Sequence, residues 1–500
     1  MRHAVIDLGS NSFRLVVFSA TAGRWKRTDE IFEAVRIGEG LAATGKLGGR
    51  PMERALSTLD VFAHFCQAAG IGREDIDAVA TSAIRDASNS DAFLARATKR
   101  TGLPIRVLSK EEEAHYGYLA AVNSTTLQDG CVLDLGGGSM QLVQVAERRE
   151  VDSGSWRLGA VRMTERFLPG DGPATRKQLD RLRAHVIEKL DRAPWLADCK
   201  RLVGVGGTVR NLANAAQRAA ELPSLGVQGQ RISVEALAEL VERLAALPPV
   251  DRADVSGVKA ARADLILAGA VVIQATMRTG GFEALEATEA GLREGVFFAR
   301  HLADSGGLFD DVRRRSVLRL AGEYRVDPAH TEHVAHLALG LFDETAAAGL
   351  HPGDATEREL LWAACMLHDI GMSVDYDDHH KHSRYLILNA GLPGFTPTEV
   401  ALIAQAARYH RKGMPDPGPL AALLPDKAQL AQLNRMAALL RLAEDLERSR
   451  DQSVREAHVH VNGRAATLSL VCDEDTAVPR WAASREVELF ERAFGRALEV

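Results

Sequence analysis

Two segments of the chain share one pattern, an apolar strand that ends in Asp-Leu-Gly and turns into a second apolar strand. The first is AVIDLGSNSFR at residues 4–14, and the second is VLDLGGGSMQ at residues 132–141. Glycines let backbone N–H groups approach an anion closely, and an aspartate at a strand end can hold a divalent cation. A single copy is compatible with an ordinary tight hairpin. Two copies one domain apart indicate an internal duplication and predict two lobes that clamp a polyphosphorylated ligand.

Three further features lie near these hairpins in the predicted order of strands and helices. A glycine turn, GVGGT at residues 204–208, opens a helix whose N-terminus is suited to an anion. Arg85 follows a predicted strand and could contact phosphate, although by itself it is better explained as a surface arginine. Ser109 is a plausible N-cap, so the glutamates at 111–113 either stabilise a helix start or supply a group that orients water.

Composition limits the classes of protein to which the chain can belong. A length of 500 residues predicts two to four domains, and a net charge of −6 disfavours nucleic acid or anionic membrane as a partner of the whole protein. Five scattered cysteines without a Cys-x-x-Cys pair favour a reducing cytoplasm and disfavour zinc–thiolate sites. The most apolar run, residues 265–277, is too short to span a bilayer, so we expect no transmembrane segment.

The pattern of elements changes along the chain and predicts four domains. Strand and helix signals alternate in residues 1–125 and again in 126–302, which predicts two α/β lobes. Residues 303–455 lose the strand signals and become rich in histidine, and residues 456–500 predict a small hairpin followed by a helix. The adjacent pair His368 and Asp369 is typical of metal-site chemistry in a helical bundle, although lone histidines are more often core or surface groups.

Taken together, these motifs resemble the exopolyphosphatase / guanosine pentaphosphate phosphohydrolase (Ppx/GppA) family, over almost the whole length. The matching motifs of the first two lobes are IDLGSNS at 6–12, ATSAIRDA at 80–87, SKEEEA at 109–114, LDLGGGS at 133–139, GVGGT at 204–208 and GLREG at 291–295. The helical part resembles the HD-type domain of the longer members, through LHDIG at 367–371, HHKHS at 379–383 and ARYHRK at 407–412. The resemblance implies two actin/hexokinase-like (ribonuclease H-like) lobes, an all-α HD-like domain and the small C-terminal segment.

The resemblance also implies an activity, the hydrolysis of a terminal phosphoanhydride, and the residues that perform it. Mg²⁺ or another divalent cation would bind Asp7 and Asp134, and Glu113 would act with Asp134 in catalysis by activating water. A cytoplasmic homodimer is expected by analogy with the family. The expected phosphate-binding residues are Ser10, Asn11, Arg14, Arg85, Gly136, Gly137, Gly138, Ser139, Gly206, Gly207 and Thr208.

Two positions depart from the family pattern. Gln141 stands where family members usually carry glutamate, and an amide can neither act as a base nor neutralise a cation. Glu444 stands where catalytic HD domains carry aspartate, yet His330, His368 and Asp369 remain as ligands for a second metal. This second metal site is the less favoured expectation, and the favoured role of the helical domain is dimerisation together with a basic wall for a long polyanion, formed by Lys381, Arg384, Arg411 and Lys412.

Four functions follow from these expectations. The leading one is an exopolyphosphatase that releases orthophosphate from inorganic polyphosphate. A guanosine pentaphosphate (pppGpp) 5′-phosphohydrolase would use the same site, but the low aromatic content of 5% disfavours a pocket for a base. A sensor that binds polyphosphate or alarmone with little or no turnover is made plausible by Gln141. Hydrolysis at His368 and Asp369 is the remaining alternative.

Overall fold

The chain divides after Val312 into two structural units in the computed structural model, Met1–Val312 and Arg313–Val500. The structure describes residues 1–21, 24–463, 465–472 and 477–500. Within this part of the chain, no helix is long and apolar enough to cross a membrane. The predicted boundaries after residues 125, 302 and 455 stay predictions.

The first sheet of the first unit has the strand order β3-β2-β1-β4-β5. Strands β1 to β3 are antiparallel neighbours, whereas β4 and β5 run parallel to β1. Residues 4–6 of β1 are fully buried because both faces of the sheet are covered, as is usual for a central strand with parallel neighbours. The strands are β1 (Arg2–Leu8), β2 (Phe13–Thr21), β3 (Arg24–Glu33), β4 (Ile76–Ala80) and β5 (Ile105–Val107).

The second sheet repeats this topology. Its order β8-β7-β6-β9-β11 places an antiparallel hairpin beside two parallel strands, and β10 adds to the far edge. The hairpin registers also match, because Asp7 lies opposite Arg14 and Asp134 lies opposite Gln141, seven residues further along in each copy. The strands are β6 (Gly130–Leu135), β7 (Met140–Ala146), β8 (Arg149–Trp156), β9 (Leu202–Val205), β10 (Arg231–Ser233) and β11 (Ala284–Ala287).

Helices cover both sheets of the first unit. They are α1 (Leu41–Thr44), α2 (Gly49–Ala68), α3 (Ser82–Asp86), α4 (Ser90–Thr101), α5 (Lys110–Val122), α6 (Ala160–Phe167), α7 (Arg176–Leu190), α8 (Gly207–Ala219), α9 (Val234–Ala245), α10 (Ile266–Gly280) and α11 (Leu292–His301).

Two of these helices pack on the sheet of the opposite lobe. Tyr118 of α5 joins a core with Val132 and Val143 of the second sheet, although α5 precedes that sheet in the chain. Conversely, Phe297 of α11 packs on Val5 of the first sheet. This exchange brings the first turn of α5 to the second hairpin.

The second unit is mainly helical. Its helices are α12 (Val312–Glu323, which starts at the last residue of the first unit), α13 (Pro328–Ala347), α14 (Ala355–Leu367), α15 (His379–Ala390), α16 (Pro397–Tyr409), α17 (Lys427–Leu446), α18 (Ala477–Ala483) and α19 (Val487–Phe494). The predicted hairpin is formed by β12 (Val454–Asn462) and β13 (Ala465–Cys472). The structure adds a strand after the final helix, β14 (Ala497–Glu499), which pairs in parallel with β13.

Candidate active site

A cleft of about 110 Å³ is lined by the loops of both duplicated hairpins. The loops approach closely, since a Cβ added at Gly138 would lie 2.6 Å from Ser82 Oγ, and one at Gly137 would lie 3.1 Å from Ser10 Cβ. Glycine is therefore required at these positions for the two lobes to meet. The predicted site residues that line the cleft are Asp7, Ser10, Asn11, Arg14, Glu113, Asp134, Gly136, Gly137, Gly206 and Gly207.

Asp7 and Asp134 occupy equivalent positions near the ends of β1 and β6. Each strand then turns through a loop closed by one backbone hydrogen bond, from Gly9 N to Ser12 O at 3.2 Å and from Gly136 N to Ser139 O at 3.0 Å. Burial raises the pKa of Asp7. Burial, together with the negative charges of Glu113 and Asp7, raises the pKa of Asp134 to about 7. The site thus concentrates negative charge that a cation would neutralise.

Glu113 lies in the first turn of α5, and its side chain is buried. Ser109 caps this helix, in a capping box with Glu112, so the backbone around Glu113 is held firmly. Arg85 donates to Oε2 of Glu113 at 2.7 Å, and Ser139 donates to Oε1 at 3.4 Å. Burial raises the pKa of Glu113, whereas the positive charge of Arg85 opposes this rise. The carboxylate is oriented by two donors and faces the cleft.

Gln141 lies behind this carboxylate. It is 1% exposed, and its Nε2 donates to Ser139 Oγ at 2.9 Å and to Ser155 Oγ at 3.4 Å. Among the described residues, Gln141 and Ser139 do not line the cleft. Gln141, which departs from the family pattern, is therefore linked to Glu113 through the hydroxyl of Ser139.

Other predicted phosphate-binding residues also stand outside the cleft lining, as far as the described residues show: Arg85, Gly138 and Thr208. Arg85 is directed to Glu113, as above. Thr208 is buried, and its methyl group packs close to Gly269 of α10. Gly206, two residues before Thr208, has φ 100° and lies against Asp134, where a Cβ would come within 3.1 Å of Oδ1. The glycine turn thus places the N-terminus of α8 at the cleft. The hydroxyl of Thr208 is not among the described groups that line the cleft.

Three arginines that line the cleft were not predicted as site residues from the sequence: Arg210, Arg262 and Arg293. Burial and the charges of neighbouring arginines lower the pKa values of Arg210 and Arg262 to about 10 each. Nε of Arg293 is buried and has no hydrogen-bond partner among the described residues. With Arg14, these side chains give the cleft four positive groups for an anion. The sequence offered a signal only for Arg210, two residues after GVGGT, and for Arg293, within GLREG.

Comparison with known protein families agrees with this geometry. The model of the Ppx/GppA phosphatase family matches residues 16–303, and the model of Ppx/GppA phosphatase domain III matches residues 312–482. The chain belongs to the Ppx/GppA phosphatase family. The resemblance inferred from the sequence motifs is thereby confirmed.

Solved structures of Ppx/GppA relatives are similar to about three-fifths of the chain. The Aquifex aeolicus family member is 28% identical with a TM-score of 0.53, over 61% of this chain and 98% of that one. An exopolyphosphatase-like protein is 27% identical with a TM-score of 0.55, over 60% and 98%. An exopolyphosphatase from Cytophaga hutchinsonii is 22% identical with a TM-score of 0.56, over 61% and 98%, which supports the fold alone.

These findings confirm two of the expectations. The Ppx/GppA fold consists of two actin/hexokinase-like lobes, followed here by a helical region. The chain is a hydrolase that acts on phosphoanhydrides, as its membership of the Ppx/GppA phosphatase family shows. The HD-like character of the helical region stays a prediction.

The carboxylates of this phosphatase fit a divalent cation. Asp7, Asp134 and Glu113 face the cleft, and burial raises the pKa of each above its ordinary value. Carboxylate oxygens are the ligands that Mg²⁺ prefers. Asp7 and Asp134 would hold it, while Glu113 remains paired with Arg85.

The second unit contains a cluster of histidines and carboxylates. Three of the four predicted ligands, His330, His368 and Glu444, have ligand atoms within 4.8 Å of one another. Asp369 instead groups with His379 and His410, again within 4.8 Å. His379 and His410 lie in the motifs at 379–383 and 407–412, but the sequence reasoning did not assign them as ligands. Of the predicted basic wall, Lys381 pairs with Asp378 at 2.6 Å.

Proposed function

We propose that the protein is an exopolyphosphatase that hydrolyses the terminal phosphoanhydride of inorganic polyphosphate and releases orthophosphate. The observation that carries this proposal is the lining of the cleft, where carboxylates, glycine loops and four arginines converge. None of the described residues that line it is aromatic. A base is usually held by stacking on an aromatic side chain, so this lining favours an inorganic chain over a nucleotide.

The terminal phosphoryl group would be held by the backbone N–H groups of the two hairpin loops. Arg14, Arg210, Arg262 and Arg293 would bind the oxygens of this group and the next phosphates, because guanidinium groups form strong charge-assisted hydrogen bonds with phosphate. Mg²⁺ held by Asp7 and Asp134 would supply neutralisation of the phosphate charge.

Glu113 would act as the general base. Its carboxylate would orient a water molecule in line with the terminal phosphorus and accept a proton from it as the oxygen attacks. The bond from phosphorus to the bridging oxygen breaks, and the chain leaves one phosphate shorter. Arg85 fixes Oε2 of Glu113 at 2.7 Å, which keeps the base oriented during this step.

The experiment is a parallel measurement of orthophosphate release, with Mg²⁺, from long-chain polyphosphate and from pppGpp. We expect a higher kcat/KM for polyphosphate, and release slowed by roughly 10²–10⁴-fold in the Glu113→Gln variant. A higher kcat/KM for pppGpp would reassign the same site to a pppGpp 5′-phosphohydrolase. Tight binding of polyphosphate without release from either substrate would overturn the proposal and support a sensor. Gln141 favours that alternative, because its amide cannot act as a base.

A further inference from the structure

Three histidines of the second unit are held in one tautomer by backbone carbonyls. In each case Nδ1 lies within hydrogen-bond distance of the carbonyl oxygen three residues earlier, and donation of its proton to that oxygen leaves Nε2 with a free lone pair. The contacts are His368 Nδ1 to Cys365 O at 2.6 Å, His379 Nδ1 to Tyr376 O at 2.8 Å, and His410 Nδ1 to Ala407 O at 2.7 Å.

The free Nε2 atoms converge on one another and on carboxylate oxygens. His379 Nε2 and His410 Nε2 are 3.0 Å apart, and with both protons on Nδ1 no hydrogen lies between them. Likewise, His368 Nε2 lies 3.2 Å from Glu444 Oε2. His330 Nε2 lies 3.0 Å from the same oxygen but has no aligned hydrogen bond to any described residue. Acceptors that face acceptors in a buried site require a positive charge between them.

Asp369 lies beside both groups of acceptors. Its Oδ1 is 3.4 Å from His379 Nε2 and 3.7 Å from His368 Nε2, and this buried oxygen has no hydrogen-bond partner among the described residues. Arg450 donates to the other oxygen, Oδ2, at 2.7 Å. Oδ1 of Asp369 therefore lies next to both sets of imidazoles. At this position one carboxylate can contact two cations.

We propose that the second unit binds two divalent transition-metal cations at adjacent positions. His330, His368 and Glu444 hold one cation, and Asp369, His379 and His410 hold the other. Imidazole suits Zn²⁺, Co²⁺, Ni²⁺ and Fe²⁺, whereas Mg²⁺ prefers an all-oxygen shell. The two units of the chain therefore select different classes of metal, carboxylate-bound Mg²⁺ in the cleft and imidazole-bound transition metal here.

The first test measures metal content with Co²⁺ as the probe. Full-length protein without an affinity tag is stripped with a chelator, dialysed against Co²⁺ in a large excess of Mg²⁺, and analysed by mass spectrometry of the metal. We expect about two Co²⁺ per chain, since histidine-rich sites favour Co²⁺ over Mg²⁺. Protonated imidazoles are the competing explanation for the missing charge, and binding of no Co²⁺ would overturn the proposal in their favour.

Variants assign the two positions. His368→Ala and His410→Ala should each lose one of the two Co²⁺ ions, whereas His382→Ala, a half-buried histidine of α15 outside both groups, should retain both. Retention of both ions by His368→Ala and His410→Ala would contradict the proposal. X-ray absorption of the cobalt in the wild-type protein needs no variant, and a shell of oxygen alone, without imidazole, would also overturn it.

One further variant separates this proposal from the proposed hydrolysis. Glu113→Gln, in the other unit, should bind Co²⁺ as the wild type does while its release of orthophosphate falls by roughly 10²–10⁴-fold. Loss of activity in this variant with both ions retained would show that the two sites are independent. Loss of Co²⁺ in it would place the metal at the cleft and contradict the assignment.

Discussion

The side-chain amide of Gln141 donates a hydrogen bond to the hydroxyl of Ser139, with 2.9 Å between Nε2 and Oγ. Because an amide nitrogen can only donate, Ser139 accepts this bond and directs its own proton to Oε1 of Glu113, 3.4 Å away. A buried residue outside the cleft lining thus sets the direction of a hydrogen bond to the proposed base. A glutamate at position 141 would accept the Ser139 proton instead.

This geometry predicts the effect of Gln141→Glu on the pH profile. Glu113 would lose a bond that favours its ionised form and gain a nearby negative charge, so its pKa, already raised by burial, would rise further. A base works when ionised, and the acid limb of kcat/KM should therefore move to higher pH, by about one unit. The matched control is Gln144→Glu, on the same strand but half-buried. Superimposable profiles of wild type and Gln141→Glu would contradict the prediction.

The Glu113→Gln substitution should remove the proposed base with little change of shape. We expect kcat for orthophosphate release to fall by roughly 10²–10⁴-fold, the usual contribution of a general base, while the affinity for polyphosphate persists. Glu111→Gln, an exposed residue of the same helix turn, is the control and should keep wild-type kcat. Steady-state kinetics and calorimetric binding measure the two quantities, and undiminished kcat in Glu113→Gln would exclude the role.

The sequence was sufficient for the parts of the site that local pattern encodes. Asp7 and Asp134 could be placed because an apolar strand, an aspartate and a glycine turn form one continuous segment in each lobe. The shared five-strand order and the matched registers follow from the same duplication. The motif around Glu113 also predicted where its helix begins, because Ser109 forms the predicted N-cap of α5.

Other parts depend on tertiary packing and could not be obtained in this way. Arg262 follows no motif, and only the fold brings it beside Gly207 at the cleft. The exchange of α5 and α11 between the sheets likewise has no local signal. In the second unit, His379 and His410 belong to separate helices, and their Nε2 atoms meet only after those helices pack.

Arg293 should contribute to substrate affinity more than to fold. Its side chain is buried at the cleft, and its Nε has no partner among the described residues, so a phosphate oxygen would be its natural acceptor. Arg293→Met should raise KM for polyphosphate by about 10- to 100-fold, the usual effect of one lost hydrogen bond to a charged group. Arg300→Met, on the partly exposed face of the same helix, is the control. An unchanged KM in Arg293→Met would exclude phosphate contact by this residue.

Gly295 is a position where α11 packs closely against the backbone of α5. A Cβ added there would lie 1.8 Å from the backbone oxygen of Tyr116, so one of the two helices must move. We expect Gly295→Ala to lower the free energy of unfolding by about 3 kcal/mol. This is the upper end of the usual cost of overpacking, because the clash is with backbone atoms, which move less easily than a side chain. Denaturant unfolding followed by circular dichroism measures this, and stability equal to wild type would show that the helices can separate at low cost.

Gly340 provides the opposite case. It lies in the interior of helix α13 on an exposed face, and among the described residues no atom beyond the backbone of its own helix lies within 4 Å of an added Cβ. Alanine there gains helix propensity without a clash, so Gly340→Ala should raise the free energy of unfolding of the second unit by about 0.5–1 kcal/mol. The same unfolding measurement should therefore shift in opposite directions for the two glycines. A loss of stability in Gly340→Ala would contradict the open environment of this residue and would require a neighbour that contacts it in solution.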